Sequence, residues 1–142
     1  MSDTQKGALY SPELLSLAVE LAGSPYDAAA PLLGEARSRS CGSIIRISSH
    51  RDLAGLGLQA QACAVGQGAA AIFLRHAQGR SPQDIADTLV ALETWLAGEG
   101  TLPDWPDLEK IEMARNFPGR HGAILLPWQA ALDALSNSGD ER

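Results

Sequence analysis

Leu14, Ala18, Leu21 and Ala22 recur at helical spacing behind Ser11-Pro12, and Gly23 ends the run. Serine can cap free backbone N–H groups and proline suits the first helical position, so a helix opens at this pair. From Ser24 to Leu33 the periodicity dissolves into Pro and Ala, which predicts a surface loop. "GEARSRSCGSIIRISSH" then groups Ile44, Ile45 and Ile47, whose branched Cβ atoms fit a pleated surface and mark a strand region. "RDLAG" reads as a turn and "LGLQAQA" as the returning strand. A hairpin centred near Asp52 would leave Cys41 and Cys63 roughly opposite each other at its open end.

Beyond Cys63 the pattern turns helical. Ala64 to Ala77 is rich in Ala and Gly, small enough to lie close against a neighbouring element. Ser81-Pro82-Gln83-Asp84 supplies a cap, an N1 proline and an acidic first turn; Ile85, Leu89, Leu92 and Leu96 follow at helical spacing up to Gly98. A short helix is expected from about Pro106 to Arg115. A last helix carries Ile124, Leu125, Trp128, Ala131, Leu132 and Leu135 on one broad face. Pro127 is tolerable only in its first turn, which sets the start near Gly122 to Leu125. Helices dominate and the strands pair locally, so the fold class is α+β, a small antiparallel sheet covered by helices.

Composition narrows what such a fold does. The 142 residues read as a single domain, 1–142, with the tail 136–142 expected to fray. The net charge of −6 argues against binding a nucleic-acid backbone, and there is no basic amphipathic stretch for a membrane surface. The N-terminus shows no charged region followed by an apolar one, and the Ala60–Leu74 run is broken by Gly and Gln, so neither signal peptide nor membrane span is expected. Two cysteines without an export signal fit reduced thiols and a cytoplasmic location.

Those thiols are the candidate chemistry. Cys63 falls at a helix N-terminus, where exposed N–H groups and the helix dipole favour thiolate, the form that binds metal or attacks sulfur. The plain alternative is a buried cysteine acting as a small hydrophobe. Cys41, in the polar context "SRSCG", lies at a loop-to-strand junction. His121 precedes the last helix beside Arg120, where an imidazole could ligate a soft divalent metal and the guanidinium could neutralise a thiolate cluster. His76 reads as a solvated side chain near a helix C-terminus. No GxGxxG, Walker-type or GxSxG motif occurs, and carboxylates such as those of "DWPDLEKIE" read as solvated faces.

Four segments, in order, carry a family likeness. "YSPELLSLA" looks like an N-terminal helix that follows a Tyr, and "GEARSRSCGSIIRI" like a Cys-Gly-Asp turn entering a strand. "LGLQAQACAVGQGAAA" looks like a second cysteine segment, and "ARNFPGRHGAILLPWQAAL" is similar to Arg-x-Phe-Pro-x-Arg-x-x-Cys before a last helix. Together they resemble the IscU-like iron–sulfur cluster assembly scaffolds, especially the SufU-like branch and the N-terminal domain of NifU.

The resemblance implies an α+β fold with a three-stranded antiparallel sheet, and a scaffold rather than an enzyme. It implies iron, zinc or a labile iron–sulfur cluster on Cys41 and Cys63, sulfur from a cysteine desulfurase, and delivery to recipient apo-proteins. The ligand set departs from the family pattern. Ser43 stands at the aspartate, Ala123 at the third cysteine, and Gly122 at the Lys or His before it. Arg120 matches the loop arginine, and His121 lies two residues short of the missing ligand. Such sites generally need four donors, so half would have to come from water, from His121 or from a partner chain. A thiol-based sulfur carrier using Cys63, or an interaction module without metal, are the alternatives.

Overall fold

The computed structural model describes residues 12–39 and 42–138. The Ser11 cap, Cys41 and the final residues 139–142 lie outside that description. In chain order the elements are α1 (Pro12–Glu20), β1 (Leu32–Arg37), β2 (Ile44–Ser49), β3 (Gly57–Gln61), α2 (Ala64–His76), α3 (Pro82–Leu96) and α4 (His121–Ser138). Short 3-10 segments occur at Leu21–Gly23, Arg51–Leu53, Leu108–Asn116 and Pro118–Arg120. The sheet is three-stranded and antiparallel in the order β1-β2-β3. The α+β architecture expected from the sequence is therefore the one observed.

The β2–β3 hairpin follows the hydrophobic pattern. Ile45 and Ile47 are fully buried against the helices, while Arg46 on the opposite face reaches Glu35 at 3.3 Å, as Arg37 does at 2.7 Å. Ile44 pairs with Gln61 and Ser48 with Gly57, which centres the hairpin at Asp52 and Leu53.

β1 is a correction, because part of it was expected to be loop. Leu32–Arg37 has little β-propensity, and its partners lie far along the chain. Gly34 lets α4 press directly on the strand, for a Cβ there would stand 2.1 Å from the Ala130 carbonyl oxygen. On the strand's outer edge Glu35 N donates to Asp133 Oδ2 and Asn137 Nδ2 donates to Leu33 O, at 2.9 and 2.8 Å. Two side chains one helical turn apart thus satisfy backbone groups that would otherwise invite another strand. Asn137 also explains why the helix runs on to Ser138, into the tail expected to fray.

Two more expectations change. Pro127 is the seventh residue of α4, beyond the first turn, where it leaves the Ala123 carbonyl without its intrahelical donor. The preceding Pro118–Arg120 turn feeds straight into the helix, moving the start forward to His121. The segment expected as a helix from Pro106 to Arg115 is a 3-10 run from Leu108 to Asn116, bent at Ile111. Asp107 explains its late start: at φ 73° it cannot belong to a right-handed helix.

One core cluster joins the layers. At its centre Phe73 of α2 stacks on Trp105 at 5.5 Å, and Trp128 of α4 meets both rings edge-on at 5.3 and 5.2 Å. The small residues of α2 serve this packing: Ala69, Ala70 and Ala71 are all buried. No helix among the described residues is long and apolar enough to cross a membrane.

Candidate functional site

Strand register decides which side chains can meet. Arg37 pairs with Ile44 and Ile44 with Gln61, so the β1–β2 turn and the β3–α2 junction share one end of the sheet. The turn is closed by Ser38 N donating to Ser43 O and Gly42 N to Ser38 O, each at 2.9 Å. Gly42 adopts φ 72°, a conformation open to glycine at little cost, which accounts for the Cys-Gly pair in the sequence. Cys41 itself falls outside the described residues; Gly42 and the buried Ser43 lie at this end.

Cys63 is the N-cap of α2, with extended backbone (φ −68°, ψ 172°) and a side chain that makes no capping hydrogen bond. Its thiol is free and partly buried. The carbonyl of Cys63 accepts the Gln67 N–H at 2.9 Å, and Gln67 Nε2 reaches back to Ala62 O at 2.8 Å, so the backbone on both sides of the cysteine is tied down. The thiol is therefore presented on a fixed helix start.

The first turn of α4 packs on the first turn of α2. A Cβ added to Gly66 would lie 3.1 Å from Ala123 Cβ and 2.8 Å from Ala62 Cβ, so the glycine makes this contact possible. Ala123 is fully buried. The position matching the family's third cysteine thus stands beside the Cys63 turn, but it carries only a methyl group.

His121 begins α4, and its ring is already engaged. Nε2 lies 2.8 Å from the carbonyl oxygen of Arg115, whose own Nε donates to Trp95 O at 2.7 Å. Arg120 closes the preceding turn through its backbone N–H on Phe117 O at 2.8 Å, with its side chain partly exposed. The structure therefore gathers Ser43, Cys63 and Ala123 at one end, and holds the imidazole of His121 on a backbone carbonyl. Among the described residues there is no group of three or more His, Cys, Asp or Glu side chains that could hold a metal ion.

The best-organised charges lie elsewhere and were not legible in the sequence. Arg75 of α2 bridges Glu20 and Asp107, and His76 Nε2 meets the same Asp107 oxygen at 2.8 Å. The hydrogen bond from His76, helped by Arg75, holds the Asp107 carboxyl below its usual range. The Arg75 guanidinium does the same for Glu20. Asp107 sits in the stretch expected to be a solvated face, and its partners are more than thirty residues away.

Comparison with known proteins gives a fold. No protein-family model and no curated protein sequence matches the chain. Among solved structures it is similar to a nitrogen-fixing NifU-like protein (N-terminal) from Brucella abortus, with a TM-score of 0.84 and 21% identity over 97% of this chain and 99% of that one. It is also similar to a Fervidobacterium islandicum protein described as an iron–sulfur cluster assembly scaffold for the SUF system, with a TM-score of 0.75 and 19% identity. That match covers 91% of this chain and 98% of the other. The chain has the NifU N-terminal and SufU-like fold.

Proposed function

We propose that this chain is an iron–sulfur cluster assembly scaffold-like protein that takes up iron, zinc or a labile cluster as cargo on the thiolates of Cys41 and Cys63. The observation that carries this reading is the presentation of Cys63 as a partly exposed N-cap, at the sheet end where β1 gives way to β2. A partly exposed sulfur at a helix start is within reach of a metal ion or an electrophile. The NifU-like and SufU-like fold supports a scaffold rather than an enzyme.

The donor set of the chain covers half of a tetrahedral site. Ala123 contributes nothing, and Ser43 offers a hydroxyl where a carboxylate would bind more strongly. His121 can join only through Nδ1 or by giving up the Arg115 carbonyl. Water or a partner chain supplies the rest, so the cargo is held weakly and exchanged readily. Sulfur would come from a cysteine desulfurase, and the cargo would pass to recipient apo-proteins in the cytoplasm.

One observation favours a second reading. With a methyl at position 123, Cys63 stands alone at its helix start among the described residues, which suits a persulfide carrier as well as a metal ligand. Anaerobic purification followed by metal analysis and absorbance separates the two. Metal lost in both Cys41→Ala and Cys63→Ala supports the scaffold, while persulfide trapped on Cys63 without metal supports the carrier. If His121→Ala leaves metal retention unchanged, His121 is not a ligand.

A further inference from the structure

At the end of the fold remote from Cys63, the β2–β3 loop, the α2–α3 connection and the start of β1 enclose a cavity of about 490 Å³, within the range of small-molecule sites. The thirteen-residue helix α2 separates the two ends by about 20 Å. Leu32, Leu135 and Pro82 give the cavity apolar walls, and Arg51, Asp52 and Arg80 give it charge. Neither arginine has a carboxylate partner among the described residues, although the chain as a whole is acidic.

Arg80 is held ready for a ligand. Its Nε donates to His76 O at 2.8 Å, and its guanidinium lies 4.0 Å from the Trp105 ring centroid. Trp105 is fixed in turn by stacking on Phe73 and by donating Nε1 to Ile72 O at 3.1 Å. Among the described residues nothing takes the donors of the Arg80 terminal amino groups, and little rotamer freedom is left to lose on binding.

The loop bearing Arg51 adds an independent sign. Asp52 and Leu53 adopt φ 60° and 58° in succession, where an Asn-Gly pair would turn the hairpin at lower cost. The buried Leu53 side chain and the Gly79 N–H on Asp52 O at 2.9 Å hold that geometry in place. Backbone strain kept at the lip of a cavity is what a ligand-facing loop shows.

We propose that this cavity binds a small organic anion, with its carboxylate or phosphate on Arg51 and Arg80 and an apolar body over Leu32 and Leu135. Two arginines against one aspartate leave a net positive charge for an anionic head group. The site does not depend on the thiols.

Calorimetric titration of the full chain with hexanoate, hexyl phosphate and 1-hexanol tests this, with tryptophan fluorescence as a second signal from Trp105. Saturable binding of at least one anion and none of the alcohol is expected; whichever anion binds more tightly identifies the head group. Arg51→Gln and Arg80→Gln should each weaken binding by about tenfold, as loss of a charge-assisted contact does. Asp52→Asn should tighten it, and Cys63→Ala should leave it unchanged. Should Arg80→Gln fail to fold, the exposed Arg51 and Asp52 still decide the matter. Equal binding of alcohol and anions, no anion binding at millimolar concentration, or an affinity unmoved by Arg51→Gln and Asp52→Asn would overturn the proposal.

Discussion

Replacing Gly34 by alanine would drive a methyl group into the backbone of α4. The new Cβ would lie 2.1 Å from Ala130 O, 2.5 Å from Ala134 N and 2.8 Å from Ala134 Cβ, whereas ordinary contact begins at 3.4 Å. Two of these obstacles are main chain, which cannot rotate aside, so strand and helix must separate by roughly 1 Å. Inserting a methylene into a packed interior costs about 1–3 kcal/mol. The separation also stretches the bonds from Glu35 N to Asp133 and from Asn137 to Leu33 O, each worth about 1 kcal/mol. A destabilisation of about 3 kcal/mol should result, lowering Tm by about 6–12 °C for a chain of this size. Thermal and urea unfolding followed by far-UV circular dichroism would measure it. Gly23→Ala is the internal control: a Cβ there meets nothing within 4 Å, so its effect should stay within about 0.5 kcal/mol. If the two variants unfold alike, the close approach of α4 to β1 is wrong. The placement of Ala123 beside the Cys63 turn would fall with it.

Four further outcomes are expected. Cys63 should be alkylated by iodoacetamide in the folded chain, because its side chain is only partly buried; slow labelling that unfolding rescues would show a sealed side chain. Ala123→Cys, which adds a thiol beside the Gly66 turn, should raise anaerobic metal retention, and no gain would mean that this position does not face the site. Phe73→Ala should cost about 3–5 kcal/mol in urea unfolding, since it removes the ring that both Trp105 and Trp128 pack against; a loss below 1 kcal/mol would contradict that packing. The carboxyls of Asp107 and Glu20 are held below their usual range in the folded chain, so their contribution is present above about pH 4 and lost as pH falls below it. Asp107→Asn should flatten the acid limb of the stability profile, and an unchanged limb would remove the Arg75 cluster from the account.

The gaps between sequence and structure have identifiable causes. α3 was plain because its signals are local: Ser81 Oγ accepts the Asp84 N–H at 3.1 Å, and Ile85, Leu92 and Trp95 are buried on one face. β1 was hidden because Gly34, Glu35 and Arg37 reveal nothing until α4 arrives from about a hundred residues away. Pro127 misled by the opposite route. Its local cost is real, but tertiary burial of its neighbours Leu126 and Trp128 holds the helix through it. At the candidate site Cys63 was legible from its place before a helical run. His121 was legible as a residue but not in its bond to Arg115 O, which depends on how the 3-10 segment folds back. The cavity of Arg51 and Arg80 left no motif, because its walls come from four separate stretches of chain.

By itself the sequence determined the helices α1, α2 and α3, the β2–β3 hairpin and its centre, and a cysteine at a helix start, because each depends on side-chain spacing within one or two turns. Only the tertiary structure decided that β1 joins the sheet, that Ala123 packs on the first turn of α2, and that two arginines with no carboxylate partner among the described residues face one cavity. Those outcomes rest on contacts between distant segments, whose free energy appears only when the backbone brings the partners within touching distance.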